Sequence, residues 1–114
     1  MSAKRHSAVR VRLNHAPVFA ALGDPTRLAL LVKLAGGQPL SISALAKGSP
    51  MTRQAITKHL RVLESAEVVR GLRRGREKLF QFDPRPIGGA KQYLELVSEQ
   101  WDEALGRLKT FVEK

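Results

Sequence analysis

Residues 41–66 hold two helical stretches on either side of a segment that neither can absorb: SISALAK, then Gly48-Ser49-Pro50, then MTRQAITKHLRVLESA. The Gly-Ser-Pro break stops the first stretch. Each stretch opens on a hydroxyl residue, Ser41 or Thr52, whose oxygen can accept from the free amides of a first helical turn. A short helix from Ser41 that buries Ile42 and Leu45 with Ala46 beside them, a turn, and an amphipathic helix from Thr52 to about Ala66 form the helix-turn-helix pattern. At about 100° per residue, Ile56, Leu60 and Leu63 lie within roughly 60° of one another and define the buried face of the second helix. Gln54, Lys58, Arg61 and Ser65 lie opposite, with Arg53 and Thr57 on the flank, and no acid occurs before Glu64.

A surface helix without a binding role mixes charge signs for solubility; this one does not. A helix fits the major groove of B-DNA, where Gln can bond adenine, Arg or Lys can bond guanine, and Thr can meet phosphate or a thymine methyl. Thr52, Arg53, Gln54, Thr57, Lys58 and Arg61 are therefore the residues expected to read DNA. His59, at the side near Leu60, reads as a packing or phosphate contact rather than a metal ligand.

The charge balance agrees. The 114-residue chain has 20 Lys plus Arg against 10 Asp plus Glu, a formal net charge of +10. Residues 47–78 hold nine basic and three acidic residues (9 − 3 = +6), whereas 83–114 hold five and six (5 − 6 = −1). The excess is localised, which favours a polyanionic partner bound at one face.

Upstream, residues 1–14 carry Lys4, Arg5, Arg10 and Arg12 with no acid, and they are expected to form a basic flexible arm. A first short helix is expected from His15 to Leu22, ending near Gly23. In GDPTRLALLVKLAGG, Asp24 can cap a second helix and Pro25 suits its first position. Leu28, Leu31, Val32 and Ala35 supply a stripe at i, i+3, i+4 and i+7, and Gly36-Gly37 a left-handed stop.

Downstream, VVRGLRRGREKLFQF changes period. Val68, Val69 and Leu72 face Leu79, Phe80 and Phe82 across Arg74-Gly75, the pattern of a β-hairpin. Arg70, Arg73, Arg74, Arg76 and Lys78 decorate this ribbon, which can lie along a DNA backbone or enter a narrow minor groove. Pro84 and Pro86 are expected to end the strand and Gly88-Gly89 to delay the last helix, which then runs from Ala90 to Glu113. Leu94, Val97, Trp101, Ala104, Leu108 and Phe111 recur in steps of three and four, reinforced by Leu105 and Val112. That seam is longer than so small a core can cover, so Leu94, Val97, Trp101, Leu105, Leu108 and Phe111, with Phe19 on the first helix, are expected to pair two chains.

Together, GDPTR, SISALA, MTRQAITKHLRVLE and VVRGLRRGREKLFQF, in this order, resemble the winged helix-turn-helix transcriptional repressors of the ArsR type over residues 15–113. The resemblance implies a mainly α fold with a β-hairpin wing: four helices, two strands and a fifth helix in one domain over 15–114. It implies a homodimer paired through the first and last helices (about 90–113 for the latter). It further implies a reading helix at Thr52 to Leu63, a wing at Val69 to Phe82, and repression of transcription from a pseudo-palindromic operator in duplex DNA. The chain departs from the metal-sensing members of that family. It has no cysteine, and its only histidines are His6, His15 and His59; Glu95, Glu99 and Glu103, with Asp102 nearby, suit hard cations at best. No metal or other cofactor is expected, and an effector is left open: none, or a small apolar molecule between the helices of the dimer.

Other classes have less support. No nucleophile elbow, His–carboxylate cluster or phosphate loop is present, so no enzyme is expected. The absence of cysteine suits a reducing cytoplasm, and the sequence has neither a membrane-spanning run nor the apolar stretch of a signal peptide. The rival reading is a non-specific architectural or RNA-binding basic protein. With only Tyr93, Trp101 and four Phe, and no aromatic cluster among the arginines, stacking on single-stranded bases is poorly served.

Overall fold

The computed structural model describes residues 15–113; the expected basic arm lies outside them. Helix α1 spans residues 15–22. Asp24 accepts from the Arg27 amide at 3.0 Å and opens α2 (Pro25–Leu34), with Pro25 at its first position. Gly37, at φ 85°, provides the left-handed turn beyond its end.

The buried face of α2 is not the expected one. Leu30, Leu31 and Leu34 are buried, while Leu28 is half exposed and Val32 is 75% exposed. Two stripes share Leu31 in this nearly all-apolar helix, and periodicity cannot rank them. Contact with α4 and the sheet selects the Leu30/Leu34 side.

A two-residue strand that sequence reading missed, β1 (Leu40–Ser41), precedes α3 (Ile42–Ala46). Ser41 caps α3 through Ala44 N–H at 3.1 Å, and Leu45 is the buried residue of this helix. Helix α4 (Arg53–Ser65) opens on Thr52, whose hydroxyl accepts from Ala55 N–H at 3.1 Å. Its buried residues are Ile56, Leu60 and Leu63, as periodicity predicts. Strands β2 (Val69–Arg74) and β3 (Glu77–Phe82) form the expected hairpin, and β1 pairs with β3 through Leu40 and Phe80 to complete a sheet of order β1-β3-β2. The turn is shifted by one residue from the sequence reading. Arg74 pairs with Glu77, so Gly75 and Arg76 are the central residues. Only Gly75 has positive φ, the requirement at the first central position of a type II′ turn.

Helix α5 spans Arg85–Glu113, beginning five residues before the expected Ala90. Pro86 in a first turn loses no intrahelical bond, and Gly88 N–H donates to Pro84 O at 2.9 Å. Gly88-Gly89 lie inside the helix, and Gly89 faces α1: a Cβ there would lie 3.4 Å from His15 Cε1. His15, buried, stacks on Tyr93 with ring centroids 5.1 Å apart, and Phe19 tilts against the same tyrosine. These contacts tie α1 to the first turns of α5.

The core joins Val18 and Ala21 of α1, Leu30, Leu31 and Leu34, Leu45, the α4 trio, Val68, Val69 and Phe80, and a single fully buried residue of α5, Ala90. At 29 residues, α5 is about 43 Å long, and most of it has no partner within the chain. The radius of gyration is 18.8 Å, against about 13 Å for a compact chain of 100 residues.

Candidate nucleic-acid interface

Burying Ile56, Leu60 and Leu63 directs the other side of α4 outward. Arg53, Gln54, Lys58 and Arg61 are exposed, and none of their side chains is held by a hydrogen bond or ion pair among the described residues. Thr57, partly buried, donates its hydroxyl to Arg53 O at 2.8 Å. This turns its polar atom back to the helix and leaves its methyl group as the free end. Thr52 is occupied as the α4 cap.

The wing divides its cations between two faces. Residues directly opposite in a ladder share a face, and faces alternate along each strand. The register pairs Arg73 with Lys78 and Gly71 with Phe80, while Arg74 pairs with Glu77 and Arg70 with Gln81. Arg73 and Lys78 thus lie on the Phe80 face, beside α4. Lys78 lies down over Gly71: a Cβ there would meet Lys78 Cε and Glu64 Oε2, each at 3.2 Å. Its ammonium then sits 5.2 Å from the Phe80 ring centroid, a cation–π distance. Arg70 and Arg74 occupy the other face. Arg70 Nε is 3.9 Å from Asp83 Oδ2, so this cation is shared with an internal carboxylate, while Arg74 and Arg76 are exposed at the tip.

Asp83, 6% exposed, locks the step from the sheet into α5. It accepts from Arg85 Nη2 at 2.6 Å, from Arg85 Nε at 2.9 Å and from the Arg85 amide at 3.1 Å. The Arg85 side-chain bonds first, then its amide, hold the carboxyl down to about 2, against the effect of burial. A depressed folded-state pKa contributes stability that is complete above the ordinary value of 3.8 and lost as pH falls through about 2. The melting temperature of the wild type is therefore expected to fall more steeply between pH 4 and pH 2 than that of Asp83→Asn. Parallel melting curves would contradict this.

Sequence reading passed over Arg27 as part of a cap motif and left His59 without a partner. The structure brings them together: Arg27 Nη1 is 3.3 Å from His59 Nδ1, and Asp24 Oδ2 is 3.9 Å from the same nitrogen. The Arg27 amide is the main reason that the Asp24 carboxyl lies below its ordinary value. Among the described residues, no three His, Cys, Asp or Glu side chains converge as metal ligands would. Glu95, Glu99, Asp102 and Glu103 are all exposed on α5. No described helix is long and apolar enough to cross a membrane.

Comparison with known proteins agrees with this geometry. A helix-turn-helix domain family matches residues 22–71. The HTH-type transcriptional regulator Rv2034 of Mycobacterium tuberculosis is 35% identical over 87 residues, covering 76% of this chain and 78% of that protein. Among solved structures, an ArsR-like transcriptional regulator from Rhodococcus sp. RHA1 is 35% identical with a TM-score of 0.80, covering 92% of this chain and 95% of that one. The homodimeric winged helix-turn-helix DNA-binding domain Mb0332 from Mycobacterium bovis is 27% identical with a TM-score of 0.62, covering 89% and 88%. Sharing its fold with these regulators, and 35% identical to two of them over at least three quarters of its length, the chain belongs to the ArsR family of winged helix-turn-helix transcriptional regulators.

Proposed function

We propose that the protein is a homodimeric repressor in which each protomer inserts α4 into the major groove of one half-site and lays its β2–β3 wing on the neighbouring backbone. The observation that carries this reading is the outward face of α4, where Gln54, Lys58 and Arg61 are exposed and held by no side-chain contact. Arg53 and the Thr57 methyl extend that face, and Thr52 lies at its start. In the wing, Arg73, Arg74 and Arg76 are the main phosphate contacts, with Arg70 and Lys78 contributing from partly engaged positions.

Pairing rests on α5. Leu94, Trp101, Leu105, Leu108 and Phe111 are each at least half exposed, along one stripe with Val97, and Phe19 extends it towards α1. The homodimeric state of the Mycobacterium bovis relative supports the same arrangement. Two reading helices related by a two-fold axis call for a pseudo-palindromic operator with half-sites about one helical turn apart. Bound over a promoter, such a dimer represses by excluding polymerase. It works in the cytoplasm, senses no transition metal or thiol and catalyses no reaction.

Selection of bound fragments from genomic DNA, followed by footprinting, tests this. A protected pseudo-palindrome supports the dimeric repressor; uniform coating supports the architectural alternative. On the selected operator, Gln54→Ala or Arg61→Ala is expected to cost about 1–3 kcal/mol and to relax base preference, while Arg74→Ala weakens all sequences alike. If the first two change neither affinity nor preference, the reading face is misassigned. Neutralising about eight phosphates gives a slope of log K against log salt near −7. A slope close to zero would instead point to an interface made without phosphates.

A further inference from the structure

Arg27 sits where three elements meet. Its guanidinium Nε donates to Ala21 O at 2.6 Å and its Nη2 to Ala20 O at 3.2 Å. Both carbonyls belong to the last turn of α1, where acceptors lack intrahelical donors and a cation is favoured by the helix dipole. The third branch, Nη1, reaches His59 Nδ1 on α4 at 3.3 Å. Guanidinium only donates, so this contact is a hydrogen bond in the tautomer that leaves Nδ1 free to accept and carries its proton on Nε2.

His59 occupies the flank of α4 opposite Thr57, directly after Lys58 and two residues before Arg61. The aliphatic trio Ile56, Leu60 and Leu63 sets which side of α4 faces the core, through contacts that are non-directional. A hydrogen bond on the flank is directional. Through Arg27 it refers the rotation of α4 to the end of α1, the helix that carries Phe19.

We infer that Arg27 is a positioning residue for DNA reading: by joining the end of α1 to His59, it sets the angle at which α4 meets the groove and thereby the operator spacing that the dimer accepts. The inference rests on the proposed reading of α4 as the groove helix and of α1 and α5 as the pairing elements.

The test compares wild type, Arg27→Ala, Arg27→Lys, His59→Ala and His59→Asn on the selected operator, on operators with one base pair inserted or removed between half-sites, and on random-sequence duplex. Arg27→Ala is expected to lower operator affinity about tenfold while random-duplex affinity stays within about twofold, the size of a lost charge-assisted hydrogen bond. Its preference for the native spacing over the altered ones shrinks. Arg27→Lys, which keeps the charge without the three-way fork, behaves like Arg27→Ala. His59→Asn, whose side-chain oxygen can take the place of Nδ1, retains more affinity than His59→Ala, and with His59→Ala in place Arg27→Ala adds little. In the wild type, the imidazole 15N spectrum has Nδ1 unprotonated.

Full operator affinity in Arg27→Lys would overturn the inference in favour of charge alone. Equal losses on operator and random duplex would overturn it in favour of a direct phosphate contact, and a protonated Nδ1 would remove its geometric basis. In each of these cases a wild type that still prefers its operator leaves the proposed function standing. A wild type that prefers no sequence sinks the reading of α4, and this inference with it.

Discussion

Replacing Trp101 and Leu105 together by glutamate is expected to yield a folded monomer whose operator affinity is at least about a hundredfold weaker than that of the wild type. Trp101 is 64% exposed and Leu105 57% exposed, and neither belongs to the core cluster, which takes only Ala90, with Ile87 packed against it, from α5. Intramolecular packing therefore loses little. In the dimer, by contrast, four carboxylates would enter an apolar seam, and burying unpaired charge there costs more than the seam can return. Once the two reading helices are unlinked, each must find its half-site separately, and the gain from effective concentration, about 10²–10⁴, is lost. Sedimentation equilibrium and a thermal melt separate the two parts of this expectation. A variant that remains dimeric with unchanged operator affinity would show that pairing uses another surface.

The second large effect is expected from Leu60→Ala. Leu60 is fully buried and contributes, with Ile56 and Leu63, the side of α4 that meets the core. Truncating such a leucine typically costs about 2–5 kcal/mol, from lost transfer free energy and from the cavity left behind. Total stability for a domain of this size is of order 5–15 kcal/mol, so a large share of it depends on this side chain. Lys58→Ala, two residues earlier on the exposed face, is expected to change stability by less than about 0.5 kcal/mol while still lowering DNA affinity. Urea unfolding of the two variants beside the wild type measures the contrast. A Leu60→Ala cost below about 1 kcal/mol would mean that α4 is not anchored by this trio, and its outward face would lose its meaning.

Legibility varied along the chain for identifiable reasons. The starts of α2, α3 and α4 were readable because Asp24, Ser41 and Thr52 act within their own first turns. The buried face of α4 was readable because Ile56, Leu60 and Leu63 cluster on one side while polar residues fill most of the rest. In α2, where apolar residues occur nearly all round, the same reasoning chose Leu28 and Val32, and the structure buries Leu30 and Leu34 instead. Of the candidate site, the positions of the cations were visible but their engagement was not. Lys78 folding over Gly71 onto Phe80, and Arg70 approaching Asp83, follow from strand register and from the path into α5.

What sequence alone determined is the set of local decisions: where α2, α3 and α4 begin, where the hairpin lies, and which side of α4 is oily and which cationic. Each depends on residues within a turn or two of one another. Tertiary structure alone decided the pairing of β1 with β3, the early start of α5 at Arg85, the buried side of α2, and the meeting of Arg27 with His59 across 32 residues. Those outcomes depend on which surface a distant segment presents, and neither periodicity nor capping carries that information.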